Sequence, residues 1–264
     1  MSESAEQPLA GRVIAITGAT GGIGRALSLA AARQGAELVL MGRNVRKLQG
    51  LHAEVEQIAP GRSLMVPLDF EKALANDYDA LAAAVMKQYG RLDGLVHCAG
   101  ILGALSPIDH FDVPVWCRVM HVNVTAAFTL TQVLLPALRL STDASVIFST
   151  STLGRKGRAY WGAYVASKFA LEGLVQVLAA EVAGNSNIRV NALNPGRTRT
   201  PMRRQAFPSE NADALPPPEA IIAPYLRLLG PESRDINGQS LDCQSSPAPD
   251  SSAAAPPPSN SANS

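Results

Sequence analysis

Short aliphatic runs recur along this chain with a helix-patterned stretch after each one, and that rhythm restricts the fold more than any other feature. VIAIT at 13–17 precedes the helix-like GIGRALSLAAARQ, and ELVLM at 37–41 precedes VRKLQGLHAEVEQI. The series continues through SLMVPL, a helical stretch ending near Tyr89, and GLVHC at 94–98. A long apolar segment at 113–140, SVIFS at 145–149, a helix from about Tyr160 to Val182, and RVNAL at 189–193 complete it. The aliphatic runs are continuous rather than alternating, so each strand is covered on both faces, as in a parallel sheet enclosed by helices. Right-handed crossovers then give an α/β doubly wound parallel sheet, with its ligand site at the carboxyl ends of the strands. A length of 264 residues suits one large core, and no internal repeat divides it.

The charge balance removes several partner classes. A net charge of +1 and a pI near 7.8 provide no electrostatic footprint for nucleic acid or an anionic membrane. No unbroken apolar run reaches the roughly 18 residues of a membrane span. The opening MSESAEQPLAGRV carries two glutamates and no apolar centre, so it does not read as a signal peptide. Three cysteines, Cys98, Cys117 and Cys243, are odd in number and lack metal spacing, which favours reduced thiols in a cytoplasmic protein. Residues 245–264 contain only Ser, Pro, Ala, Asn and Asp, too little apolar surface to offset the entropy of ordering. The expected organisation is a flexible N-terminus at 1–8, one domain at 9–243 and a disordered tail at 244–264.

VIAIT runs directly into GATGGIG, residues 18–24. The spacing of Gly18, Gly22 and Gly24 is G-x-x-x-G-x-G. Glycines let a backbone approach a pyrophosphate, which then rests on the unpaired amides of the following helix. Gly18, Thr20, Gly22, Ile23 and Gly24 are therefore the candidate nucleotide cradle; a glycine-rich turn without a ligand is the alternative. The end of the second strand, LMGRN, bears on which nucleotide is bound. An NAD site places an acidic residue there for the ribose hydroxyls, but this chain has Gly42 followed by Arg43. A guanidinium pairs with a 2′-phosphate that a carboxylate would repel, so NADP(H) is expected over NAD(H). Asn44 stands where it would cap the next helix.

Further landmarks follow in order. They are TGATGGIG (17–24), Asp69 in PLDF, HCAG (97–100), Asn123 in HVNV, Ser151 in FSTST, Tyr164 and Lys168 in YVASK, and NPGRTRT (194–200). Over roughly residues 9–243 this series resembles the short-chain dehydrogenase/reductase family. GRKGRAYWGAYVASKFALEG and RLDGLVHCAG are similar to one bacterial subgroup of it. The resemblance implies a single-domain Rossmann-type fold of about seven strands. It also implies a catalytic tetrad of Asn123, Ser151, Tyr164 and Lys168. Asp69 would lie near the adenine, with Ala99 and Gly100 beside the nucleotide. Pro195, Gly196 and Thr198 would lie against the nicotinamide, Thr198 on its carboxamide. The family pairs its long apolar helices between subunits, which implies a homodimer or homotetramer. Cys98 departs from the pattern, standing where the family has asparagine, and a buried, inert thiol is the expected outcome. His97 is expected to be packed rather than catalytic.

Five tyrosines and five lysines in this chain yield roughly 0.1 Y-x-x-x-K pairs by chance, so the motif gains weight from its companions. On a helix, residues four apart share a face, which brings the Lys168 ammonium towards the Tyr164 phenol. A phenol titrates near 10, and a fall of about 2–3 units, worth about 3–4 kcal/mol, would let it exchange protons near neutrality. Tyr164 is then the general acid/base of a carbonyl/alcohol interconversion. Ser151 would orient the substrate oxygen, with Ser149, Thr150 and Thr152 as competitors for that role. Asn123 would anchor a water leading to Lys168, or instead tie two segments together. Tyr160 and Trp161 are expected to form wall. MRRQAFPSENADALPP, with Arg203 and Arg204, reads as a lid over the substrate. The alternatives to a reductase are a non-catalytic NADP-binding redox-sensing or scaffold protein, and an enzyme acting on an enoyl substrate.

Overall fold

A computed structural model describes residues 7–244. The expectations for the N-terminus and the tail concern residues that, apart from 7, 8 and 244, lie outside this range. Seven strands form one all-parallel sheet: β1 (Val13–Thr17), β2 (Glu37–Gly42), β3 (Ser63–Pro67), β4 (Gly94–His97), β5 (Ala144–Ser149), β6 (Ile188–Asn194) and β7 (Ser240–Asp242). Their spatial order is β3-β2-β1-β4-β5-β6-β7. Strand order reverses between β1 and β4, and it is there that such a sheet opens a crevice at its carboxyl edge. Six strands correspond to the aliphatic runs in the sequence. β7 is three residues long and carries no such run.

Alternate strand residues serve opposite faces of the sheet. Val13 and Ala15 of β1 belong to one core with the helices α3 (Ala75–Tyr89), α5 (Ala126–Arg139) and α6 (Gly162–Val182). Ile14 and Ile16 belong to the other, with α1 (Gly22–Arg33), α2 (Val45–Ile58) and α8 (Ala223–Leu229). The helix α4 (Val113–Met120) continues through a π-helical turn, His121–Thr125, into α5. The continuous helix Val113–Arg139 is long and apolar enough to cross a membrane by length and composition. Here Leu130, Leu134 and Leu138 bury its inner side in the core. α6 begins at Gly162, two residues later than its sequence pattern suggests, because Tyr160 takes a left-handed backbone (φ 71) just before it. A short helix, α7 (Pro201–Ala206), stands over the carboxyl edge.

Candidate active site

A cavity of about 720 Å³ opens at the carboxyl edge. Its floor at β1 is shaped by sterics. Gly18 has φ 61, and a Cβ there would lie 2.9 Å from the backbone of Ala99. A Cβ on Gly24 would overlap the Gly18 carbonyl. The Thr17 hydroxyl accepts a hydrogen bond from Ala99 N at 3.0 Å, fastening the turn to the end of β4. Gly18, Thr20, Gly22, Ile23, Gly24, Ala99 and Gly100 all line the cavity, as do Asp69 and Pro195.

At the rim, Gly42 and Arg43 both face the cavity. The exposed Arg43 guanidinium makes no hydrogen bond or ion pair among the described residues, so it is available to an incoming anion. Asn44 caps α2, its Oδ1 accepting from Lys47 N at 2.9 Å. Lys47, which the sequence did not single out, is a second cation on this rim. The glycine cradle, the cavity volume and the two unpaired cations fit a nicotinamide dinucleotide bearing a 2′-phosphate.

β5 and α6 place the proposed catalytic groups on the opposite side. Ser151 begins a 3-10 turn, Thr152–Gly154, and its Oγ accepts from Leu153 N at 3.2 Å. Ser151 acts to lower the titration of the Tyr164 phenol, though it is not among the residues that line the cavity. Lys168 lies one turn along α6, its Nζ 5.6 Å from the centre of the Tyr164 ring. The ammonium donates to the Ser149 carbonyl at 2.7 Å. Burial pushes Tyr164 up to about 12, with the Ser151 bond opposing it, and pulls Lys168 down to about 8. The depressed phenol expected from the sequence is thus not supplied by the protein alone. Burial disfavours the charged phenolate, and that is the larger of the effects on this group.

The competitors for the serine role sort themselves out by contact. Ser149 Oγ accepts from the Tyr225 hydroxyl at 3.1 Å and lies 3.5 Å from Cys98 Sγ. Thr152 Oγ1 accepts from Asn194 Nδ2 at 3.1 Å. Thr150 is buried with its hydroxyl unpartnered, and of these hydroxyls Ser151 is the one that acts on the titration of the phenol. Cys98 lines the cavity, and burial raises its thiol to about 11, which keeps it protonated. His97 stacks on Phe148 at 4.5 Å and pairs through Nε2 with Thr131 Oγ1 at 2.9 Å. Its burial lowers it to about 3, so it is a neutral packing group.

One sequence expectation held two alternatives that the contacts bear on, and another requires correction. The Asn123 side chain is fully committed to protein. Its Oδ1 accepts from Ile101 N at 2.8 Å, and its Nδ2 donates to Ile101 O and Ser167 Oγ, each at 3.0 Å. Of the two readings given for Asn123, the tie between segments is the one these contacts carry. Thr198 is buried, its hydroxyl directed at the Pro195 and Gly196 carbonyls of its own turn, and neither it nor Gly196 lines the cavity. Thr200 lines it instead. Counted from Pro195, the P-G-x-x-x-T spacing ends at Thr200, which was the signal to follow.

The roof is built from 200–217. Met202 and Gln205 of α7 overhang the cavity. Trp161 packs edge-on to Tyr164 at 5.9 Å and against Phe207 at 5.5 Å, behind the residues that line the cavity, while Tyr160 is exposed. Arg203 lies 3.8 Å over Phe207 and donates from both Nε and Nη2 to Glu210 at 2.6 Å. Arg197 reaches the same carboxylate. Arg203 therefore latches the lid rather than facing substrate, and Arg204 is exposed.

Comparison with known proteins matches this arrangement. A family model described as short chain dehydrogenase matches residues 12–211. The oxidoreductase YciK of Escherichia coli K12 is 44% identical over 233 residues, 88% of this chain and 92% of that protein. A Shigella flexneri short chain dehydrogenase crystallised with NADP superposes with a TM-score of 0.88 at 42% identity, covering 91% of this chain and 100% of that one. An Escherichia coli short chain dehydrogenase crystallised with NADPH gives 0.87 at 44% identity, covering 90% and 99%. The chain belongs to the short-chain dehydrogenase family and is an oxidoreductase.

Proposed function

We propose that the protein is an NADP(H)-dependent carbonyl reductase or alcohol dehydrogenase with Tyr164 as its general acid/base. The observation that carries this reading is the Tyr164 phenol beside the Lys168 ammonium, both lining the cavity whose other wall is the glycine turn. Gly18, Gly22 and Gly24 would carry the pyrophosphate, and Arg43 with Lys47 the 2′-phosphate. Thr200 and Pro195 lie where a nicotinamide would extend. The crystallised relatives with NADP and NADPH support that choice of nucleotide. When bound, NADP(H) supplies or accepts the hydride.

In the reducing direction, Tyr164 donates its proton to the carbonyl oxygen as that oxygen gains charge. A phenol held near 12 stays protonated at neutral pH, so it is the acid form that waits in the pocket. Ser151 donates to the same oxygen and holds it in line. Lys168 stabilises the phenolate left behind, and Asn123 acts by position, fixing the 100–101 loop against α6. Leu102, Trp161, Met202 and Phe207 surround the phenol with apolar surface, which supports a substrate whose carbonyl is borne on an apolar or aromatic group. Phe128, Phe169 and Val177 stay exposed on α5 and α6, which supports pairing of these helices in a homodimer or homotetramer. We place the protein in the cytoplasm on its reduced cysteines.

The test is to saturate the protein with NADPH and follow loss of the reduced-nicotinamide absorbance across a panel of aldehydes, ketones and quinones. Consumption that requires a carbonyl and is lost in Tyr164→Phe is expected. Carbonyl-independent consumption, or an equally active variant, contradicts the reading.

A further inference from the structure

Glu172 stands one turn beyond Lys168 and two beyond Tyr164, so the three share one stripe of α6. Its side chain is about nine-tenths buried, and its Oε1 has no hydrogen-bond partner. A buried carboxylate in that condition destabilises the fold unless another charge answers it. The nearest cation is Arg155, at 3.7 Å. The hydrogen bonds of that guanidinium go elsewhere: to Ser240 Oγ, Asp242 and the Leu241 carbonyl, all on β7. Arg155 therefore leaves the carboxylate only partly neutralised. The turn that carries Ser151 sits directly on this stripe. A Cβ on Gly154 would lie 3.0 Å from the Lys168 carbonyl and 3.1 Å from Glu172 Cγ.

The groups around the Lys168 ammonium come from three elements. β4 contributes the neutral His97 and the residue after it, Cys98; β5 contributes the Ser149 carbonyl, and α6 Tyr164 and Glu172. Burial lowers Lys168, while Cys98 and Glu172 oppose that change. Cys98 is a neutral thiol, held up to about 11 by its own burial, and Tyr164 is a neutral phenol. Among the described residues this leaves Glu172 as the carboxyl group that acts on Lys168.

We propose that Glu172 is a positioning residue that keeps the proton on Lys168 Nζ, so that a cation faces the Tyr164 phenolate during turnover. The inference rests on the proposed roles of Tyr164 and Lys168. Removing the charge in Glu172→Gln should lower the Lys168 titration. The alkaline limb of kcat/KM for NADPH-dependent carbonyl reduction then moves down by about half a pH unit or more. In parallel, the Tyr164 phenolate absorbance of the NADP-bound protein, taken as the difference from Tyr164→Phe, should move up. Arg155→Gln removes the opposing cation and should move the alkaline limb upwards. Glu172→Asp, which keeps the charge, should hold the parent profile.

A loosened fold would shift both neutralising variants the same way, and melting curves identify a variant that does not fold. An unmoved limb in Glu172→Gln, or a shift of the same sign in Arg155→Gln, overturns the inference. It does so without touching the proposed function, which fails separately if Tyr164→Phe keeps its activity.

Discussion

The two walls of the cavity are made by different means. The nucleotide wall is backbone: glycines with no room for a Cβ, a threonine hydroxyl fastening two strand ends, and helix amides left open. The catalytic and substrate wall is side chain: a phenol, an ammonium and a lid closed by one carboxylate between two guanidinia. The first is rigid because its contacts are between backbone atoms that cannot turn away. The second is tunable because its properties depend on burial and charge. Damage to the first should abolish nucleotide binding, whereas damage to the second should leave binding intact and change rate, pH dependence or substrate affinity.

The sharpest way to break this division is Gly18→Ala. Its Cβ would meet Ala99 backbone from a left-handed conformation, so a loss of about 100-fold or more in NADPH affinity is expected, with about 2 kcal/mol or more of stability. Titration calorimetry and melting measure both. Gly157→Ala, at a glycine with open space around it, is the control that should change neither. Arg43→Ala tests the rim of the same wall. NADPH affinity should fall about tenfold while NADH affinity stays put. Equal affinities for the two nucleotides, unchanged by the substitution, would sink the assignment.

On the other wall, Glu210→Gln should raise KM for carbonyl substrates about threefold and leave NADPH affinity alone. The Arg203 hydrogen bonds, then Arg197, hold Glu210 near about 2 instead of its ordinary 4.5. The latch is therefore fully present above 4.5, and it weakens as pH falls towards 2. Equal KM values for parent and variant across that window would show that the pair does not close the lid. A stability measurement tests Lys168, whose folded value of about 8 lies below its ordinary 10.5. Its buried charge costs stability below about 8, and the cost disappears as pH rises towards 10.5. The melting temperature of the parent should therefore rise relative to Lys168→Met across that interval, and a parallel course would contradict the desolvation.

This division also explains what could be read from the sequence. Glycine spacing and aliphatic runs are local codes, so β1 to β6, the cradle and the Y-x-x-x-K stripe were all legible. Tyr164, Lys168 and Ser151 do meet in space. What escaped depends on long-range geometry. β7 is a strand only because β6 offers it an edge, with Asn194 pairing to Asp242. The latch joins Arg197 to Glu210 across 13 positions, and nothing in either residue's neighbourhood announces the other. For Asn123 the choice between a water anchor and a tie stayed open because its segment partners, Ile101 and Ser167, are 22 and 44 positions away. The rise of the Tyr164 phenol is a consequence of burial, which no motif encodes.

One protein tests the separation of the two walls directly. Tyr164→Phe removes a single oxygen from the side-chain wall and nothing from the backbone wall. NADPH affinity and carbonyl turnover should be measured on the same preparation. Affinity should stay within about threefold of the parent while turnover falls about 1,000-fold or more. Turnover that persists, or affinity that collapses together with it, would contradict the account.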